Sequence, residues 1–399
     1  ELASVTVPGT VGLDISGDTF SLDIPEDLER GDITLINKSS TVVAGTGGGN
    51  IEINAHNLDI YDSIIFAGIE EDSNNINAKS GNISINATGS IELKNDALIS
   101  YVILGQGNAG DININAGKNI SLTGIGLPFI LNPGNDDLIT GILSFVPNEA
   151  MGNAGNIQLT ANNIYVNDGA SISSRIFGKG DAGNITINAR NTVSFDKNGN
   201  TSTEIFSDTV GEGGDIRIST VTLSLTNGGQ INSNMFGQGN AGNIFIEARD
   251  SVNLDGFFLL PNATGIDGNV LGINGIPFIS GIQSNLLLGT GKGGDIQINA
   301  GSLLVNNLAS ILASTNANGN AGNITINARD TVTFSELGNA QSSSMINAIG
   351  NGADIRINAE KLLLNNGGFL QSNGTGKGNA GNIFLDIKDT ITLDGFSKD

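Results

Sequence analysis

Few side chains in this sequence are equipped for chemistry, and those that are fall into a handful of short patterns. GQGNAG at Gly105 and Gly237, GKGDAG at Gly178 and GKGNAG at Gly376 all fit G-x-G-x-x-G, the loop that cradles a pyrophosphate. That chemistry needs the loop to follow a strand and open a helix whose N-terminal amides face the phosphates. Each copy here opens another strand-like I-x-I or I-x-L run, so nucleotide binding is not expected. Arg30-Gly31-Asp32 spells an integrin-reading tripeptide, but its Gly and Asp also read as the corner of a first repeat. Neighbouring carboxylates, Glu70-Glu71-Asp72 and Asp136-Asp137, are of the type that holds a cation or, grouped in space, hydrolyses a glycosidic bond. Calcium-binding β-rolls need tandem nonapeptides, whereas GKGGDIQIN at Gly291 has no copy nine residues on. These acidic clusters therefore read as solvated loops. His56 is the only histidine; there is no Cys and no Trp, and there are three Tyr. That excludes thiolate metal sites and disulfides, and leaves little for stacking sugars. Arg190, Arg249 and Arg329 recur in equivalent phrases, which is how structural residues behave. We assign no catalytic, cofactor-binding or metal-binding residue, and expect no enzyme and no cofactor.

The elements that would have to position such residues are repeats. A small residue, then Asn or Asp, then I-x-I or I-x-L recurs at Asn50, Asn82, Asp111, Asn156, Asn184, Asp215, Asn243, Asp295, Asn323, Asp354 and Asn382. All eleven are followed by Ile, and all but Asp354, which follows Ala353, are preceded by Gly. GDITL at Gly31 reads as a twelfth copy. The spacings are 32, 29, 45, 28, 31, 28, 52, 28, 31 and 28 residues, so coils of fixed length alternate with elastic ones. One fixed coil, from Asn156, contains NIQLTA, NIYVN and ASISS separated by Asn/Gly turns. Strands this short cannot bury an apolar face alone, but stacked on identical neighbours they can.

The fold expected is all-β: a right-handed parallel β-helix of about 12 coils with three short strands per coil and insertions on alternate coils. Ile185, Ile216, Ile244 and Ile296 should form one interior column, and Ala161, Ala189, Ala248 and Ala300 another. The Asn/Asp residues should form a side-chain ladder, with the preceding Gly supplying a backbone angle disfavoured by a Cβ. Residues 1–49 read as lead-in strands and a first coil, and 50–399 as β-helix repeats. Glu1 is not an initiator and repeats run to the end, so the chain reads as a segment of a longer one.

The formal charge of −22 argues against nucleic acid and anionic membranes as partners. GNAGNITINARDTVTF, GGDIRISTVTLSLTNGGQINSNMFGQGNAGNI and the opening VPGTVGLDISGDTFSLDIPEDLERGDITL resemble the repeat region of filamentous-haemagglutinin-like exoproteins, the large passengers of two-partner secretion. The resemblance implies a right-handed β-helical adhesin stalk, secreted through an outer-membrane partner and displayed extracellularly at the cell surface. No stretch of this sequence reads as the family's amino-terminal secretion domain, so no secretion residues carry over.

Function, on this reading, sits where the elastic coils grow, around 123–138 and 255–277. Both insertions are apolar and each contains a Pro-Phe pair, Pro128-Phe129 and Pro277-Phe278. Phe129, Phe257, Phe258 and Phe278 are the candidate partner-binding residues; they read first as an extra packing layer, and second as a ridge that docks a cell-surface, carbohydrate or protein ligand. Lateral or end-to-end self-association is a further expected partnership, and a self-assembling extracellular fibre or surface-layer component is a further alternative. The rival reading is a carbohydrate-active β-helix hydrolase or lyase with its site near Asp136 and Asp137.

Overall fold

A computed structural model describes residues 2–6, 12–16, 19–23, 25, 28–125, 140–207, 209–259 and 277–395. Alternation drives every coil. In Ile185–Asp196 the residues Ile185, Ile187, Val193 and Phe195 are fully buried while their neighbours point outward. The strand lies between Ile157–Asn167 and Ile216–Thr226, parallel to both. Register is identity on identity: Ile185 meets Ile157 and Ile216, and Ile216 meets Ile244, which meets Ile296. A parallel β-solenoid results, with no helix among the described residues. Ten turns separate the eleven Asn/Asp corners and a further partial coil precedes them, close to the dozen coils expected.

Three departures from expectation have physical causes. First, the two opening strands of many coils are one strand with a bend, as in Ile157–Asn167, and they build a 17-stranded sheet. A second sheet of 11 strands forms the next side, and most of the third side is a file of single bridges such as Val210 to Gln238 to Thr290. Glycines on this side at φ +142° (Gly180) and +140° (Gly239) keep the chain from forming a regular strand there. Second, Gly31-Asp32 is not the first corner. Ile33 registers with Leu58, which opens the second half of a coil, and Asp32 accepts hydrogen bonds from the Asn57 backbone (3.0 Å) and side-chain amide (2.9 Å). Gly31 is buried and its N–H donates to the Ser4 carbonyl at 2.8 Å, so the tripeptide is not a free loop. Third, the Ala column is interrupted by Thr220, which stands in register with Ala248.

The corner file itself is unbroken. The backbone N–H of each Asn/Asp donates to the side-chain Oδ1 of its counterpart one turn earlier, in ten bonds of 2.7–3.1 Å from Asn82→Asn50 to Asn382→Asp354. The ladder is thus mainly backbone to side chain rather than side chain to side chain. No two Asp are adjacent in the file, and each Asp receives a second bond from the amide of the following Asn: Asn156, Asn243, Asn323 or Asn382. Carboxylates one strand spacing apart repel, and the alternation avoids this. The preceding Gly is needed for room, not for backbone angle: a Cβ on Gly183 would lie 2.1 Å from the Gly155 carbonyl oxygen.

A second file runs three residues upstream. Asn153, Asp181 and Glu212 each donate a backbone N–H to the side chain one turn earlier, beginning with Asn108, and Asn240 donates to Glu212. Buried hydroxyls then cross the core to the corner: Ser144 and Ser174 accept from the Gly155 and Gly183 amides at 2.8 Å. Tyr101 occupies the same register one coil before Ser144 and donates to the Gly81 carbonyl at 2.8 Å.

Asn243 tests the alternation. Asn243→Asp aligns three carboxylates with Asp215 and Asp295, and should destabilise the chain by about 1–3 kcal/mol at neutral pH from two repulsive contacts and a lost amide bond. Repulsion raises the folded-state pKa of these carboxylates, so the deficit should shrink as pH falls through the carboxylate range. Asn243→Ala should cost about 1–2 kcal/mol with no such pH dependence. Denaturant unfolding at several pH values reads both.

Candidate functional site

Phe129, Asp136 and Asp137 lie outside the described residues. The second insertion leaves and returns as an antiparallel pair, Phe257–Leu259 with Pro277–Ile279, in which Phe258 faces Phe278. Its base sits on the turn of the preceding coil, where Gly228 has φ +83° and a Cβ would come within 2.8 Å of the Phe258 Cβ. Phe258 and Phe278 are half-buried, while Phe257 and Leu259 turn outward at 37% and 52% exposure. The pair therefore packs with one face and presents the other.

An open groove lies elsewhere, along the bend of the 17-stranded sheet. It has a volume of about 740 Å³ and is lined by Arg190, Arg249 and Arg329, with Glu247 on the coil of Arg249 and Asn299 on the next, over a floor that includes Ala248. The bend explains why arginine appears there. Ala161 and Asn163 are separated by one residue, but Ala189 and Thr192 by two, and the register shifts there as it does again between Ala248 and Ser251. The extra residue bulges outward and re-aims its side chain. Arg190 and Arg249 make no ion pair or side-chain hydrogen bond with any described residue, whereas Arg329 pairs with Asp330 at 3.0 Å and reaches across Gly301 to the Arg249 carbonyl at 3.4 Å. Arg329 thus ties its own corner to the earlier one, while the Arg190 and Arg249 side chains have no such tie among the described residues.

A file of rings marks the corner after the second sheet. Phe145 meets Phe177 edge-on at 5.5 Å, Phe177 stacks on Phe206 at 3.9 Å, and Phe206 on Phe236 at 5.7 Å. Beside it a cleft of about 570 Å³ includes Glu149, Lys179 and Met151. Arg175, in register with Phe145, is buried and pairs with Glu204 at 3.1 Å; burial pushes its guanidinium below the usual range, while Glu204 opposes the shift.

One carboxylate pair does occur only once. Asp59 and Glu92 are register partners on adjacent coils. Burial, then the Glu92 and Asp32 charges, raise the Asp59 pKa, while Lys94 opposes. Burial also pushes Glu92 up, but hydrogen bonds from Lys94 and Tyr61 outweigh it and leave its pKa lowered. The bond to Glu92, then burial, push the Tyr61 hydroxyl up to about 12. Two carboxyls shifted apart can divide acid and base roles, and this pair lies on the outward, half-buried positions of its strands.

No protein-family model, curated protein or solved structure matches the chain. The groove and the ring file escape composition, since their members sit in different phrases. The available signals are the two-residue gap after alanine in NAR and EAR, and the Phe that ends SSRIF, TEIF and SNMF.

Phe206→Ala removes the middle of the ring stack and should cost about 1–3 kcal/mol, the half-buried ring losing both transfer free energy and stacking. Gly228→Ala should lower the melting temperature through its positive φ and the close Phe258 contact. Thermal unfolding by circular dichroism checks both.

Proposed function

We propose that this chain is a non-catalytic spacer: a β-helical stalk segment of a secreted, surface-displayed adhesin of the filamentous-haemagglutinin-like kind. The observation that carries this reading is the unbroken corner file, which repeats one bond along the described solenoid without favouring any single coil. A spacer needs this, because its property is length, and length in a solenoid is coil count times strand spacing. The acidic balance keeps such a rod soluble. On this proposal the segment is exported through an outer-membrane partner, and the insertion built on Phe257, Phe258 and Phe278 docks a cell-surface, carbohydrate or protein ligand. Lateral or end-to-end association of rods would follow from the same surface role.

Excising Asn323–Gly381, 59 residues, joins Gly322 to Asn382 and preserves the corner phrase. The spacer reading expects a folded rod shorter by about 10 Å, two strand spacings, by small-angle scattering. Loss of the fold, or an unchanged length, would contradict it. Deleting residues 256–277 should weaken surface attachment of the displayed chain without shortening the rod. The enzyme alternative is tested on acidic and neutral polysaccharides: no turnover is expected, and turnover abolished by Glu92→Gln or Asp136→Ala would replace the spacer reading with a hydrolase or lyase.

A further inference from the structure

The chain is strongly acidic, yet five of its seven arginines, Arg190, Arg217, Arg249, Arg329 and Arg356, lie on one outer side of the 17-stranded sheet. They are not equivalent. Arg217 is neutralised by Asp215 at 2.7 Å and stacks over Phe245, and Arg356 repeats that arrangement with Asp354 and Phe384. Arg190 and Arg249 have no ionic partner among the described residues, and both line the groove that Arg329 closes at its other end. Their stations are two coils apart, since Ser219 stands between Asn188 and Glu247, and Asn299 between Glu247 and Asn327. Two strand spacings are about 9.6 Å.

We propose that this groove binds a linear glycan carrying one carboxylate about every 10 Å, laid along the solenoid axis so that successive carboxylates meet Arg190 and Arg249. An unpartnered guanidinium offers a carboxylate a two-pronged, charge-assisted contact. The coils between the stations set the selectivity. Ser219 and Thr220 line the groove between Arg190 and Arg249, and Asn299 lines it between Arg249 and Arg329, so no cation meets a ligand there, while Glu247, Asp250 and Asp330, on the arginine coils themselves, repel surplus anions. A polymer with a charge on every unit must leave anions over these cation-free coils, and duplex DNA, at one charge per about 1.7 Å, does so throughout. A glycan in which a uronic acid alternates with a neutral sugar places its neutral rings there instead. The bulges that push Arg190 and Arg249 out, and the small residues beneath, give the chain a bed. This inference goes beyond the stalk reading and stands without it, because the groove belongs to the regular coils and not to the insertions.

The test is calorimetric titration at low salt with four probes of matched length. These are an oligomer of alternating glucuronic acid and N-acetylglucosamine, an oligogalacturonate, a neutral N-acetylglucosamine oligomer and duplex DNA. The alternating oligomer should bind at least about tenfold more tightly than the other three, and Arg190→Gln with Arg249→Gln should weaken it at least about tenfold. Arg249→Lys alone, which keeps the charge and loses the fork, should give an intermediate loss and covers the case in which the double variant misfolds. Failure of the alternating oligomer to bind, equal binding of any comparator, or unchanged affinity in the variants would overturn the proposal. None of these results bears on rod length, so the spacer reading is judged separately.

Discussion

In-register parallel stacking places every residue about 4.8 Å from its own counterpart, and the rest of the molecule is a response to that constraint. Like must tolerate like, ten times over. Isoleucine does so readily: the interior files are fully buried and each member fills the space its neighbour leaves. Asparagine does so because it both accepts and donates, so each corner can take a backbone N–H from the next coil while an amide bonds back. Aspartate cannot stack on itself without repulsion. The sequence uses it at Asp111, Asp215, Asp295 and Asp354, and always follows it with Asn. At Asp354 the backbone and amide of Asn382, with Arg356, hold the carboxyl below its usual range against a smaller opposing effect of burial. Its contribution to stability is therefore present above the ordinary aspartate value and lost as pH falls below it.

Variation is confined to places where stacking does not require identity. The core accepts Tyr101 where later coils carry Ser144, Ser174 and Thr203, because each spans the interior to a corner glycine. The turn after the long strand accepts an insertion whose base rests on Gly228. The bend accepts one residue more or less, and that freedom makes the arginine groove. Features capable of recognition thus lie at bends and insertions, while the flat faces repeat.

Much of the fold was legible because the constraint writes itself into the sequence as a period. Asn or Asp before Ile, at alternating intervals, located all eleven corners and their order. Less legible was anything that depends on which atom of a residue is used. An Asn column suggests amides bonded to amides, yet the backbone N–H is the regular donor. GDITL carries the corner's composition but stands in register with the second half of a coil, since Asp32 serves Asn57. The glycine before ten of the eleven corners looked like a demand for backbone angle, and at positions such as Gly183 proved to be a demand for space. Of the candidate site, Phe257, Phe258 and Phe278 could be named from apolarity alone. The groove could not, because Arg190 and Arg249 are 59 residues apart and meet only once coils are laid over each other.

The central claim is that the corner amides are closed into one continuous file, and residue-resolved hydrogen exchange reads it directly. The account predicts that the amides of Asn82, Asp111, Asn156, Asn184, Asp215, Asn243, Asp295, Asn323, Asp354 and Asn382 exchange as slowly as those of the buried strands beside them. Exchange at the rates of open loops at these ten positions, with the neighbouring strands still protected, would contradict it.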